Sequence, residues 1–252
     1  QIELTKLMDV TTLVHMPSLA LRYLERATEM GINIKETKLR VILGAGETLA
    51  ETVRKKVESE YGLSFRTIYG AVETGLIAGE CEQGGGMHLL ADRNIVEIID
   101  PQTKQTLDPG EEGEIVITTL QSEAVPLIRY RTGDVGSLLP YDPCPCGRVH
   151  PKISMVKGRV AHIIKVKDKE FLPIDVEEVL ASIPGLGSEY QIIIGASEGL
   201  DRLKVRVETR PESTELVRLK EQTEETLHQR LGIDSEVELV PPGSLPRALV
   251  KA

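Results

Sequence analysis

RVILGAGETLAETVRKKVESEYGLSFRTIYGAVETG, residues 40–75, reads as strand, glycine turn, helix, strand and a second glycine turn. Residues 40–43 form a short apolar run of buried-strand type that enters Gly44-Ala45-Gly46-Glu47. Thr48 and Glu51 stand at capping-box spacing. Leu49, Val53, Val57 and Tyr61 then recur every four residues, the apolar stripe of a helix closed by Gly62. Residues 65–69 are the next strand. Together these make an α/β crossover, with functional loops expected at the strand ends. The loop that follows, Tyr69-Gly70-Ala71-Val72-Glu73-Thr74-Gly75, offers an aromatic face, a backbone without a side chain and a carboxylate. Such a set suits a nucleotide with its metal ion, although Tyr-Gly turns also serve structural loops.

Outward from this crossover the pattern changes twice. Toward the start, residues 11–14 are apolar, and Ser18 stands where an N-cap would open a helix carrying Leu21, Leu24 and Ala27, stopped near Gly31. Toward the end, residues 95–99 and 114–119 read as antiparallel strands around the turn Asp108-Pro109-Gly110, and 135–139 as another short strand. A third pattern opens at 163–166. It comprises a helix at 173–183, strands at 191–194 and 203–207, a helix from about 214 to 231 and a last strand at 237–240. The expected class is therefore α/β and α+β. A larger domain at 1–157, α/β with a β-rich part, precedes a small α+β domain at 158–252.

The chain has 252 residues, 40% hydrophobic and 27% charged, ordinary values for a globular protein. Its net charge of −9, with no basic block, argues against nucleic acid as the main partner. No apolar run is long enough to span a membrane. The sequence starts Gln-Ile-Glu-Leu, with neither the basic start and apolar core of a secretory signal nor a Met. A fragment or a processed chain is expected. Three cysteines, two of them separated by one residue, do not make a disulfide framework, so a reducing, cytoplasmic setting is expected.

Cys81, His88, Cys144 and Cys146 can supply three thiolates and one imidazole, a common composition for a closed structural zinc site. Cys144-Pro145-Cys146-Gly147 is a tight turn able to aim two sulfurs at one ion. His150 rivals His88 as the fourth ligand. His88 is preferred because it shares a segment with Cys81, so that an ion would tie two distant loops together. Unrelated thiols are the alternative. A catalytic cysteine is disfavoured because no nucleophile–base pairing is visible. Elsewhere, Arg129-Tyr130-Arg131-Thr132-Gly133-Asp134 puts a carboxylate just after a glycine turn, where it can accept both hydroxyls of a ribose. Gly158-Arg159 follows at the domain boundary, and Leu245-Pro246-Arg247-Ala248-Leu249-Val250-Lys251 comes near the end.

With these pieces together, the chain resembles the adenylate-forming enzymes, most closely their phenylacetate–CoA ligase branch. The resemblance is carried by Gly113-Glu-Ile-Val-Ile-Thr-Thr-Leu, by Pro126-Leu-Ile-Arg-Tyr-Arg-Thr-Gly-Asp134 and by Cys144-Pro-Cys-Gly-Arg-Val-His-Pro151. Pro184-Gly-Leu-Gly187 and Leu245-Pro-Arg247 add to it, and the Cys and His cluster is a feature of that branch. The resemblance implies an ATP-dependent acyl-CoA ligase that adenylates a carboxylate and passes the acyl group to CoA. Gly46 and Glu47 would lie beside the adenine, Tyr69 and Gly70 would form its platform, and Glu73 would hold Mg2+ on the triphosphate. Asp134 would bind the ribose, Arg159 the ribose or phosphate, and Lys251 would stabilise charge as pyrophosphate leaves. A small aromatic or aryl-acetate-like acid and CoA are the implied partners, while the assembly, with a homodimer as one option, stays open.

Several positions depart from the family. Val72 replaces the usual Ser or Thr before the acid, Ala161-His162 the hinge acid pair, Asp168 the glycine that lets CoA pass, and Val250 the glycine before the lysine. No Ser/Thr/Gly-rich phosphate loop is present, so weak or no ligase activity is expected of this chain alone. Two other readings remain open. One is an adenylyltransferase of the same fold that stops at an AMP adduct, like the enzymes that adenylate a deazaflavin coenzyme. The other is a non-catalytic, zinc-stabilised relative.

Overall fold

The computed structural model describes residues 1–197, 200–211, 213 and 215–246. It divides into two compact units, Gln1–Ala161 and His162–Ala252. In the first, α1 (Ile2–Leu7), β1 (Thr12–His15), α2 (Pro17–Glu29), β2 (Val41–Gly44), α3 (Glu51–Tyr61) and β3 (Ser64–Ala71) come in succession. The antiparallel strands β4 (Gly75–Glu80), β5 (Met87–Leu89), β6 (Asn94–Ile99), β7 (Gly113–Thr119) and β8 (Tyr130–Gly136) follow, then the short β9 (Lys152–Ile153) and β10 (Gly158–Arg159). One mixed sheet has the order β1-β2-β3-β4-β5-β9, and a second, antiparallel one has the order β10-β8-β7-β6. The α/β crossover expected at residues 40–75 is present: β1, β2 and β3 are parallel, with Val41 opposite Ser64.

Two cores support these sheets. Ala20, Leu24 and Ala27 of α2 and Val57 of α3 cover Ile42 and Phe65. Ile77, Met87, Ile98, Ile115, Ile117 and Ile153, each fully shielded from solvent, fill the antiparallel side. Both helices start differently from the sequence expectation. The first helical residue of α2 is Pro17, whose fixed φ suits that position, so Ser18 sits inside the helix and gives both its N–H and its hydroxyl to the Glu47 carboxylate. The second helix begins at Glu51 behind Ala50, with no side-chain cap, and Thr48 lies outside it.

The segment 130–134, read from sequence as a turn before a strand at 135–139, is itself the strand β8. Gly133 adopts φ +76°, and the β7–β8 register slips between Glu114 and Val116. This glycine permits a bulge that keeps the strand paired while bending it, which sequence alone does not separate from a turn. Arg131 pairs with the buried Glu114 beside it. Gly158 and Arg159, where the sequence reading starts the second domain, pair with Val135 and Asp134 and so belong to the first unit.

The second unit opens with the hairpin β11 (Ile164–Val166) and β12 (Lys169–Phe171). It continues through α4 (Pro173–Ser182), β13 (Leu186–Ser197), β14 (Leu200–Thr209), α5 (Leu216–Leu231) and β15 (Ser235–Val240). The sheet order is β13-β14-β15, antiparallel then parallel. Val176, Val179 and Leu180 of α4 and Leu219 and Leu227 of α5 pack on Val205, Val207 and Val237 of this sheet. Gly232 at φ +68° ends α5. No helix among the described residues is long and apolar enough to cross a membrane.

Candidate functional site

Tyr69, Gly70 and Ala71 end β3, and the chain turns through Val72, Glu73 and Thr74 into β4 at Gly75. The space that a side chain at Gly70 would take is filled: its Cβ would stand 2.6 Å from the Gly75 carbonyl oxygen and 3.1 Å from Leu76 Cα. The glycine therefore serves the approach of two strands. Gly70→Ala is expected to cost about 1–3 kcal/mol, the range for forcing extra atoms into packed space, read as a lowered urea midpoint. A change within 0.3 kcal/mol would contradict this geometry. Val72 is fully exposed at the tip of the turn.

The Tyr69 ring lies in the core, 8% exposed, and its hydroxyl donates to Asp134 Oδ2 at 2.9 Å. Burial raises the Tyr69 hydroxyl pKa well above the ordinary tyrosine value, and the Asp134 charge adds to this. Arg159 donates from Nε to Asp134 Oδ1 at 3.2 Å and from its guanidinium to the Thr132 carbonyl at 3.0 Å. Three segments far apart in sequence thus meet at one carboxylate. Glu73 is exposed near Tyr130, a neighbour the sequence reading did not identify. Lost hydration and then the Glu73 carboxylate raise the Tyr130 hydroxyl pKa. One exposed carboxylate fits Mg2+, which is held by one or two carboxylates together with substrate phosphates. Glu47 is engaged by Ser18, and Gly46 follows β2 at φ +81°.

A second cluster forms where the Cys-Pro-Cys loop meets β5 and the end of β4. The ligand atoms of Cys81, His88, Cys144 and Cys146 all lie within 4.8 Å of one another. Cys81 Sγ and Cys144 Sγ are 3.7 Å apart, and Cys146 Sγ is 3.4 Å from His88 Nε2. Tetrahedral zinc, with ligands at about 2.0–2.3 Å, sets these edges at about 3.8 and 3.6 Å, so the residues fit the ion. His88 Nδ1 lies 3.2 Å from the His150 carbonyl, which suits it to orient the imidazole. The His150 ring turns instead to the Leu89 carbonyl, 2.9 Å away. Burial pushes the Cys81 thiol pKa up. The backbone N–H of Arg148, with its guanidinium 3.4 Å from the sulfur, lowers that of Cys146 to about 6. Arg148 and Lys152, whose own pKa values the thiols raise, are cationic neighbours that no metal-ligand spacing would have flagged.

In the second unit, Asp168 is exposed in the turn of the β11–β12 hairpin. Leu245 is buried and gives its N–H to Glu208 Oε1 at 2.8 Å. Lys251 and Arg247 lie outside the described residues.

Residues 169–252 match the family model of the AMP-binding enzyme C-terminal domain. A phenylacetate-coenzyme A ligase of Thermus thermophilus is 31% identical over 92% of this chain and 56% of its own length. The phenylacetate-coenzyme A ligase of Escherichia coli is 31% identical over 94% of this chain and 55% of its own. The chain thus spans a little over half the length of the curated relatives it matches. Among solved structures, a 2-hydroxyisobutyryl-CoA ligase in its postadenylation state superposes over 100% of this chain and 55% of its own, with a TM-score of 0.87 and 26% identity. MatB of Rhodopseudomonas palustris, at 18% identity and a TM-score of 0.67, shares the fold.

Proposed function

We propose an acyl-CoA ligase function for this chain, which has the fold of the adenylate-forming enzymes and is homologous along its length to phenylacetate–coenzyme A ligases. A carboxylate oxygen of a small aryl-acetate-like acid attacks the α-phosphorus of ATP, the bond to the bridging oxygen breaks and pyrophosphate leaves. The CoA thiolate then attacks the acyl carbon, and AMP leaves. The observation that carries this reading is the meeting of Tyr69, Asp134 and Arg159 close to the turn of Glu73.

Asp134 accepts the ribose hydroxyls, and Arg159, a cation with several donors, holds ribose or phosphate. Gly46, Glu47, Tyr69 and Gly70 line the adenine side. Glu73 would hold Mg2+, which supplies charge neutralisation on the phosphates. Cys81, His88, Cys144 and Cys146 would hold a structural zinc with no open position for chemistry. Lys251 stabilises the charge that develops as pyrophosphate departs.

Exchange of labelled pyrophosphate into ATP, measured on the full-length protein, is expected to depend on phenylacetate and to fall about a hundredfold in Lys251→Ala, the loss typical for removing one transition-state charge stabiliser. Acid-independent or absent exchange would overturn the proposal. One observation favours a second reading. Asp168 places a charged side chain on the hairpin turn where the family has a CoA-passing glycine, which suits an adenylyltransferase that stops at the AMP adduct. A CoA thioester product excludes it.

A further inference from the structure

Tyr69 is largely enclosed by its own unit. Its ring packs among Ile77, Ala78 and Met87, leaving 8% of the residue exposed. Its hydroxyl stands 2.9 Å from Asp134 Oδ2. Asp134 is otherwise held by its backbone, whose N–H donates to Thr132 Oγ1 at 3.0 Å, while the Thr132 hydroxyl donates to the Ile115 carbonyl at 2.9 Å. The strand thus fixes the Cα of Asp134, but only side-chain partners fix the rotation of its carboxylate.

Those two partners differ. Tyr69 is buried, and burial keeps its hydroxyl protonated, a permanent donor. The Arg159 side chain is 59% exposed and bonds the other oxygen at 3.2 Å, so water or a ligand can replace it at little cost. A ribose diol brings two donors and must compete for acceptor positions on this carboxylate. It will displace the exposed partner and leave the buried one.

From this geometry we infer that the Tyr69 hydroxyl is a positioning residue for Asp134: it pins Oδ2 and presents Oδ1, vacated by Arg159, to the ribose hydroxyls. The inference rests on the ribose role proposed for Asp134. It gives Tyr69 a duty in recognising ribose, separate from any contact with adenine.

The test is calorimetric titration of AMP, 2′-deoxyAMP and 3′-deoxyAMP into the full-length protein and its Tyr69→Phe and Asp134→Ala variants. Tyr69→Phe keeps the ring, and circular dichroism with a thermal melt checks that each variant is folded, because an apparent dissociation constant rises as the folded fraction falls. The wild type is expected to prefer AMP. In Tyr69→Phe, AMP affinity should fall about tenfold, the usual worth of one hydrogen bond to a charged group, with a less than twofold loss for the deoxynucleotides. An unchanged AMP affinity would mean that only the ring acts, and equal losses for all three would mean general damage; either overturns the inference. Preference for AMP that survives Asp134→Ala, or no AMP binding by the wild type, overturns the ribose reading itself. Preference lost in Asp134→Ala but kept in Tyr69→Phe overturns the positioning role alone.

Discussion

Cys144→Ser is expected to lower bound zinc from about one equivalent to under half and to reduce the melting temperature to that of the chelated wild type. A closed four-ligand site adds its binding free energy directly to folding, and apparent values of about 10–16 kcal/mol have been found for small zinc peptides. The first unit has cores of its own, so only part of that is at stake. Cys144 is buried 3.7 Å from Cys81, and a serine there offers a harder, protonated oxygen to a cluster built of sulfur. Metal analysis and thermal melts, each with and without chelator, check the outcome. Wild-type protein holding less than half an equivalent, with the variant no different, would remove the zinc assignment.

Glu80→Ala should cost about 3 kcal/mol, the low end for a broken buried pair, because it leaves the buried Arg54 cation only the exposed Glu51 carboxylate, 3.2 Å from its Nε. Arg54 on α3 and Glu80 at the end of β4 meet at 3.0 Å with side chains only 10% and 5% exposed. Glu80 also accepts the Thr67 N–H at 3.0 Å, and Arg54 also donates to the Phe65 carbonyl. The loss therefore strands an Arg donor and a β3 amide together. Urea unfolding measures it, and a double variant, Arg54→Met with Glu80→Leu, should recover a good part by removing both charges. A loss below 1 kcal/mol for Glu80→Ala would show that solvent reaches the pair.

The crossover at residues 40–75 was legible because its periods are unambiguous: a β run, a four-residue apolar repeat and a second β run. The fold class follows from it and holds. Local start signals served less well. Ser18 and Thr48 both have N-cap chemistry, but Pro17 fixes where α2 begins, and Glu47 draws Ser18 into a tertiary bond 29 residues away in sequence. The strand at 130–136 was hidden by Thr-Gly-Asp, a turn sequence that a bulge also uses. Short strands such as β5 and β9 carry too few residues for any period to register.

Site residues follow the same logic. The thiols and His88 could be grouped by type and spacing, because metal chemistry is restrictive about ligands. The exposure of the Tyr69 ring could not be read, because it depends on Ile77 and Met87 closing over it from β4 and β5. The link from Tyr69 to Asp134 spans 65 residues and has no sequence signature.

The strand order β3-β4-β5-β9 has a consequence for solubility. β9 is two residues long and stands at the sheet edge, held to β5 by the pairs Met87–Ile153 and His88–Lys152. Zinc held by the four-residue Cys/His cluster would clamp that junction. Without the clamp β9 can leave, and β5, whose three residues are all buried, becomes the open edge of the five strands that remain. An uncovered apolar edge is a template for strands of other molecules. The thiols would then guard against self-association as much as against unfolding, and demetallated protein would be lost first to aggregates.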